Sequence, residues 1–267
     1  MIARHARILH RFLLNSLIRE MTFRGHFVVQ MVGHVLWLGM LLIFVGVIFT
    51  QTTDVRGWSQ DQYVFLLGTH MIVVSIFETF FFGNCWRVSL LVRTGDMDFV
   101  LVKPVNTQFL LSLERIDYAS LANVPVGAAM CVYGAWDQAA SVTAAKCAIF
   151  VALIGAGVMI LYSLLFMFAI TSVWLIRGTG VDHLWFYAVS LARYPADIYR
   201  RFAGGYLFFA LVYVIPVLMV SNLPANVMVR TFEPAMVGYI ILIAFVLLAA
   251  STAVFRFALR HYRSASS

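Results

Sequence analysis

The stretch FVVQMVGHVLWLGMLLIFVGVIFT, Phe27–Thr50, is predicted to be a transmembrane helix. Its only strongly polar residues are Gln30 and His34. A helix rises about 1.5 Å per residue, so about 20 apolar residues cross a hydrocarbon core about 30 Å thick. Irregular backbone cannot face lipid. The stretch is therefore long enough and apolar enough to span a membrane as a helix.

Five more apolar stretches follow this pattern, and the fourth span is long enough to tilt while the fifth is short. They are Tyr63–Asn84, Gln108–Gly134, Ala144–Ile176, Gly205–Ser221 and Ala235–Phe257. Hydrophobic residues make up 62% of the 267 residues and charged residues 12%, and mean hydropathy is +0.89. A soluble domain cannot bury so much apolar surface. We expect an all-α membrane protein in which residues 27–267 form one domain of six transmembrane helices.

The loops between these spans carry their positive charge mostly on one side. The other side holds only Arg56, Lys146 and Arg230. Because Lys and Arg stay in the cytoplasm, we expect both termini to be cytoplasmic. The net charge of +7 then reflects topology and anionic lipid, and we expect no nucleic-acid partner. The cytoplasmic set comprises Arg4, Arg7, Arg11, Arg19, Arg24, Arg87, Arg93, Lys103, Arg177, Arg193, Arg200, Arg201, Arg260 and Arg263.

Residues 1–26 are predicted to form an amphipathic helix on the cytoplasmic leaflet. Ile8, Phe12 and Leu17 recur at helical spacing, while Arg7 and Arg11 take the other face. A flexible basic leader is the alternative. We expect no cleaved signal peptide, because the first apolar run is longer than a signal h-region.

The sequence carries no recognisable catalytic apparatus. It has no phosphate-cradling glycine loop, no HExxH motif and no GxSxG elbow. Its three cysteines lack metal-type spacing. Cys131 and Cys147 fall near the outer ends of adjacent predicted spans, so a disulfide is one reading. Free thiols, with Cys85, are the favoured reading, because Cys often serves as a small hydrophobe.

Charged residues inside the predicted spans call for partners, because a lone charge in hydrocarbon costs several kcal/mol. Glu78 lies in the second span, and Arg115, between Glu114 and Asp117, lies at a similar depth in the third. We expect a structural ion pair between Glu78 and Arg115. The alternative is a substrate or ion path.

The segment WRVSLLVRTGDMDFVLVKPVN, Trp86–Asn106, stands out among the loops. A short apolar helical patch is followed by a turn at Gly95 and a stop at Lys103-Pro104. A cytoplasmic loop this apolar requires cover by membrane or by a partner protein. Within residues 86–107 we expect the partner contact at Arg93, Gly95, Asp96, Asp98, Lys103 and Pro104.

A second unusual segment lies after the short fifth span. Pro216, Pro224 and Pro234 bracket an apolar stretch, residues 217–234. This pattern is typical of a segment that dips into the outer leaflet and returns. An ordinary extracellular loop is the alternative.

Several short motifs, in this order, resemble those of one family across essentially the whole chain. They are GWS at 57–59, GDMDF at 95–99, KPVN at 103–106, RYPADIY at 193–199, IPV at 215–217, PA at 224–225 and YRSASS at 262–267. The family is the type-2 exporter class of ABC transporter permeases, and more narrowly its small bacterial six-span members.

The resemblance implies a permease subunit of an ATP-driven exporter in the bacterial inner membrane. It implies an amphipathic entry helix, a coupling helix in the first cytoplasmic loop and re-entrant helices between spans five and six. The implied partners are an ABC ATPase dimer and a second six-span permease, with a different chain favoured over a second copy. ATP and Mg belong to the ATPase, so no cofactor is expected in this chain.

Two other function classes stay open at this point. One is an ion- or proton-coupled secondary transporter that uses Glu78, His70 and His34 as relay groups. The two halves of the chain show no evident repeat, which argues against it. The other is an intramembrane enzyme, for which a nucleophile–base or metal constellation is lacking.

Overall fold

The computed structural model describes residues 2–22, 24–173, 186 and 189–262. In these ranges the regular elements are helices, which confirms the all-α prediction. They are α1 Ile2–Thr22, α2 Arg24–Gln51, α3 Gln60–Phe77, α4 Gly83–Thr94, α5 Met97–Leu101, α6 Thr107–Leu113, α7 Tyr118–Leu121, α8 Asn123–Gly134, α9 Ala144–Ile170, α10 Tyr206–Phe209, α11 Met219–Val229 and α12 Pro234–His261. Shorter 3₁₀ pieces are Trp136–Ser141, Thr171–Val173 and Ala196–Gly205, and π-helical turns are Glu78–Phe82 and Ala210–Val214.

Four of the predicted spans are continuous helices in the described part of the chain. The stretches long and apolar enough to cross a membrane are Phe27–Gln51, Gln60–Thr94, Ala144–Ile170 and Pro234–His261. They match the first, second, fourth and sixth predicted spans. The second helix extends to Thr94, well into the predicted loop, because the π-helical turn Glu78–Phe82 joins α3 to α4 without a stop. Residues 174–176 of the predicted fourth span lie outside the described residues.

The third predicted span, Gln108–Gly134, is not a continuous helix. It consists of α6, α7 and α8, and the chain leaves helical geometry at 114–117. Asp117 causes the restart, because its carboxylate accepts hydrogen bonds from the backbone N–H groups of Ala119 and Ser120 and so caps α7. The prediction of one unbroken helix over Gln108–Gly134 is therefore wrong.

Glycines allow α3 and α8 to pack backbone to backbone. A Cβ added at Gly127 would lie 2.9 Å from the carbonyl oxygen of Gly68, and one added at Gly68 would lie 2.7 Å from that of Gly127. At Gly134 an added Cβ would overlap the carbonyl oxygen of Asp61. Small residues at such crossings let helices approach closely in a membrane, where no hydrophobic effect drives their association. This pair forms the centre of the bundle.

The fifth predicted span, Gly205–Ser221, is not a helix that crosses the bundle. Tyr206–Val214 and Met219–Val229 pack as two short helices bent by 87°. The carbonyl of Tyr213 accepts from the hydroxyl of Tyr239, only five residues into α12, at 2.6 Å. The bend reaches the level of Gly157, where an added Cβ would lie 3.0 Å from the carbonyl oxygen of Val220.

The second arm of this hairpin then returns to the end where the first began. The carbonyl of Val229 accepts from the side-chain amide of Gln62, in the first turn of α3, at 3.1 Å. Ten of the eleven residues of α11 are buried. The apolar side chains of α11 are therefore buried in the protein and not in lipid. Hydropathy alone does not distinguish these two environments, so part of α11 was predicted to belong to a span.

The segment Ala196–Gly205 lies at the same end of the bundle as the loop between α2 and α3. Arg230 lies 3.4 Å from the Asp197 carboxylate and its guanidinium stacks 4.8 Å above the Trp58 ring. The charge pattern grouped Arg193, Arg200 and Arg201 with the loop of Arg93, whereas the structure places the segment of Arg200 and Arg201 at the end that carries Arg230. Arg200 pairs with Asp197 at 2.9 Å, so its charge is locally compensated. Arg177 lies outside the described residues.

Val173 and Ala196 lie at opposite ends of the bundle. Ala169, near the end of α9, accepts at its carbonyl from the Ser89 hydroxyl of α4 at 3.3 Å. Asp197 lies at the opposite end, beside Arg230. Residues 174–185, 187 and 188 of this connection are outside the described part.

Gly127→Ala is expected to destabilise the protein, because the added methyl meets backbone atoms of α3 that cannot yield locally. Overpacking of this kind costs about 1–3 kcal/mol. Gly155→Ala is the matched control, since an added Cβ there meets no atom within 4 Å. Thermal unfolding in detergent should show a lower midpoint for Gly127→Ala alone. Equal midpoints for both variants would contradict the close crossing.

Cysteine labelling should place Arg201 on the same side of the membrane as the α2–α3 loop. In a chain with all three native cysteines replaced, Arg201→Cys and Thr53→Cys should react with an impermeant maleimide from one side. Arg93→Cys should react only from the other side. Labelling of Arg201→Cys together with Arg93→Cys would restore the arrangement expected from the charge pattern.

Candidate functional site

The N-terminal helix α1 holds the break in the third segment. The backbone N–H of Ile116 donates to the hydroxyl of Ser16 at 3.0 Å, and that of Tyr118 donates to the carboxylate of Glu20 at 2.9 Å. The Tyr118 hydroxyl in turn donates to the carbonyl of Leu13 at 3.0 Å. The N-terminal residues thus form a helix rather than a flexible leader, and its Ser16 face packs on protein.

The second span satisfies the other backbone groups of the break. The side-chain oxygen of Asn84 accepts from the N–H of Arg115 at 3.0 Å, and its amide donates to the Arg115 carbonyl. The carbonyl of Thr79 accepts from the N–H of Asp117 at 3.0 Å. Thr79 lies in the π-helical turn, whose geometry directs this carbonyl to the break. We call Ser16, Glu20, Thr79, Asn84 and 114–118 the break clamp.

The ion pair beside the break is not the predicted one. Arg87 and Glu114 pair at 2.6 Å, with their side chains 23% and 28% exposed. Glu78 instead accepts from the Ser120 hydroxyl at 3.4 Å, and the structure does not bring it to Arg115. Sequence reasoning assigned Arg87 to a loop, and it missed this pair because the helix through the π-helical turn continues past Arg87.

A cavity of about 360 Å³ lies between α2, α3, α8 and the segment that ends at Arg193. Most of its wall is apolar and aromatic. Its polar lining residues include His34, His70, Glu78 and Arg193. Pockets of this size, with few polar groups, are typical of small-molecule sites.

The cavity brings together all three residues of the relay hypothesis, but each is held by a different neutral partner. His34 contacts the side-chain amide of Asn123 at 3.1 Å. His70 contacts the hydroxyl of Ser221, in α11, at 3.1 Å. Glu78 takes its hydrogen bond from Ser120. These bonds hold the three side chains in the cavity wall, and they do not connect them into a hydrogen-bonded relay.

The predicted partner-contact loop presents an apolar surface at the α4–α5 end. Gly95, with φ of +80°, ends α4 in the left-handed conformation and lets α5 turn back. Met97 and Val100 anchor α5 in the core at 2% and 3% exposure, whereas Phe99 and Val102 are 71% and 79% exposed. We call the exposed apolar side chains Trp86, Leu90, Phe99 and Val102 the α4–α5 surface.

The predicted contact residues divide into two groups around this surface. Arg93, Asp96, Lys103 and Pro104 are exposed beside it, whereas Gly95 is buried. Asp98 is half-buried and lies beside Tyr262, just past α12. Burial raises the pKa of the Tyr262 hydroxyl, and the Asp98 carboxylate raises it further. Sequence reasoning missed Phe99 and Val102, whose apolar character in a charged loop was the available signal.

The cysteines are free, so the disulfide reading is wrong. Cys85 and Cys131 are buried, whereas Cys147 is exposed. Cys131 contacts the hydroxyl of Thr69 across the α3–α8 crossing at 3.7 Å. Burial as small hydrophobes, as predicted, therefore holds for two of the three.

Ser16→Ala is expected to lower stability by leaving the buried N–H of Ile116 without an acceptor. A buried donor left unpaired costs about 1–3 kcal/mol. Asn15→Ala, at an exposed position of the same helix, is the matched control. Thermal unfolding should separate the two variants, and a wild-type midpoint for Ser16→Ala would show that α1 does not hold the break.

A double-mutant cycle should distinguish the observed ion pair from the predicted one. Arg87→Gln and Glu114→Gln should be non-additive, with a coupling free energy of about 0.5–3 kcal/mol. Glu78→Gln and Arg115→Gln should be additive within about 0.5 kcal/mol. Unfolding midpoints of the single and double variants measure both terms. Coupling in the second cycle alone would reverse the assignment.

Comparison with known proteins places the chain in a family. No curated protein and no solved structure matches it. One family model, described as ABC-2 family transporter protein, matches residues 35–266. This range includes the break, the α4–α5 surface and all lining residues of the cavity apart from His34. It also includes every continuous span except the start of the first. The chain belongs to the ABC-2 family of transporter membrane proteins.

Proposed function

We propose that this chain is the membrane permease subunit of an ATP-driven exporter and receives its energy from a separate ABC ATPase dimer. The observation that carries the proposal is the α4–α5 surface, because α5 buries one apolar face in the core and exposes another at the loop. Membership in the ABC-2 family supports the ATPase as the partner that covers it. ATP and Mg bind to that partner, and no cofactor is assigned to this chain.

The proposed topology has six crossings with both termini in the cytoplasm. Four crossings are continuous helices, and α6 to α8 supply a fifth in broken form. The described residues on either side of the remaining part, Val173 and Ala196, lie at opposite ends of the bundle, which keeps the even count of six. Tyr206–Val229 then becomes a re-entrant hairpin that enters from outside, which replaces the expected boundaries 217–234. The basic residues of α1 and α4 orient this bundle in the bacterial inner membrane.

The α4–α5 surface is placed so that a movement of the ATPase can be transmitted to the transmembrane helices. Large exposed apolar side chains in water mark an interaction site. Met97 and Val100 connect α5 to the core, and Asp98 lies beside Tyr262, which packs on the same core just past α12. Through Gly95, α5 is also continuous with α4 and the second span. A displacement of α5 therefore reaches two membrane helices at once.

A second permease is proposed to complete the transporter beside α2. This helix exposes large apolar side chains along much of its length, including Val29, Val35, Leu36 and Ile43 at 64–70% exposure. It also forms one wall of the cavity through His34 and Trp37. A different six-span chain is favoured over a second copy, and the cavity is proposed as part of the substrate path.

Replacing Phe99 and Val102 together with Ser should weaken ATPase binding. The double variant removes the two most exposed apolar side chains of the α4–α5 surface and leaves its core anchors intact. The tagged chain is purified from native membranes in mild detergent, and the co-purified ATPase is identified by mass spectrometry and by ATP hydrolysis. We expect recovery to fall about tenfold or more, as for loss of central interface side chains.

Tyr206→Ser is the matched control, because Tyr206 is 80% exposed at the opposite end of the bundle. It should recover ATPase as the wild type does. Recovery of as much ATPase with the Phe99→Ser/Val102→Ser variant as with the wild type would contradict the assignment of this surface. Absence of any ATPase from wild-type preparations would argue against an ATP-driven transporter.

A further inference from the structure

Among the described residues, Arg193 is a cation at the cavity wall that uses only two of its N–H groups in hydrogen bonds. Its Nε donates to the carbonyl of Ser190 at 3.1 Å, and its Nη2 donates to the Ser190 hydroxyl at 2.7 Å. A guanidinium has five N–H groups. Among the described residues, no carboxylate lies within ion-pair distance of the guanidinium. This includes the carboxylates of Glu78 and Asp197.

Aromatic rings hold this guanidinium in place without neutralising it. It lies 5.4 Å from the centroid of the Trp37 ring and 6.0 Å from that of Tyr194. Ring stacking and the two bonds to Ser190 fix one edge and leave the rest of the planar fork available. An Arg within a bundle in lipid is costly unless an anion or water meets it. A guanidinium fork matches the oxygens of a carboxylate or a phosphate.

The rest of the cavity wall determines what kind of molecule can carry the carboxylate or phosphate that Arg193 binds. Arg193 lies close to His70, and Glu78 lies eight residues further along the second span, about 12 Å away by helical rise. The wall between these two levels is apolar, formed by side chains such as Met71, Val74 and Phe77. The carboxylate of Glu78 at the far end disfavours a second negative charge there.

We propose that the cavity binds an anionic amphiphile, a molecule with one carboxylate or phosphate on an apolar body. Its anionic group pairs with Arg193, and its apolar part lies along the second span toward Glu78. This inference rests on the proposed transport function and adds the substrate class to it. The same chemistry occurs in a transported solute and in a resident anionic phospholipid.

Photolabelling tests the charge preference directly. The full chain is purified into nanodiscs of phosphatidylcholine and exposed to three diazirine probes with one twelve-carbon body. The probes carry a carboxylate, a hydroxyl or a trimethylammonium group. The carboxylate probe should label peptides that contain Trp37 and Met71 saturably, and about tenfold more than the other two. Equal labelling by the alcohol, or preference for the ammonium, would overturn the proposal.

Substitutions at Arg193 test the binding group. Arg193→Gln should lower labelling by the carboxylate probe about tenfold, and Arg193→Lys should keep most of it. Arg201→Gln, an exposed arginine outside the cavity, should label as the wild type does. Unchanged labelling of a folded Arg193→Gln variant would also overturn the proposal. Should that variant fail to fold, the three-probe comparison on Arg193→Lys decides.

A change of lipid separates the two sources of the ligand. Adding phosphatidylglycerol to the nanodiscs should abolish labelling if the site holds a resident lipid and leave it intact if the site is for a solute. Both results support an anionic amphiphile. The test contains neither ATPase nor ATP, so its failure leaves recovery of the ATPase on the α4–α5 surface unaffected, and the two proposals fail separately.

Discussion

The architecture depends on the backbone of residues 114–118, whose N–H groups from Arg115 onward have no partner within a helix of their own. Within a membrane, each N–H that leaves a helix without a partner costs several kcal/mol. Four consecutive N–H groups, from Arg115 to Tyr118, all find acceptors in the break clamp. Two acceptors come from α1 and two from the second span. The broken segment is thus compatible with a membrane only while those elements stay in place.

The break clamp also joins the two candidate functional regions. Glu78, the first residue of the π-helical turn, lines the cavity, and the next residue, Thr79, accepts from the break. The same helix continues through α4 to the α4–α5 surface. A shift of α4 relative to the break therefore changes hydrogen bonds directly beside the cavity wall. π-Helical turns within long helices often occur at such functional positions.

Four spans were predictable from sequence because their composition and their environment agree. Phe27–Gln51 is apolar and largely exposed on the bundle, so hydropathy describes it fully. The break was not predictable in the same way. Its charged residues were visible in the sequence. However, two of the acceptors that pair its backbone N–H groups lie far away in sequence, at Ser16 and Glu20. The amphipathic pattern of α1 indicated a helix and not the role of its polar side chains.

The hairpin shows where local composition misleads. Met219–Val229 is apolar because this helix, α11, is buried against α3 and α9, and lipid is not required to explain it. Asn222 identifies this environment, since its buried side chain accepts from the N–H of Ala196 and donates to the carbonyls of Ala192 and Tyr194. These bonds hold α11 to the segment that carries Arg193. Arg193 at the cavity wall is therefore positioned by a helix whose apolar composition was interpreted as a segment that dips into the outer leaflet.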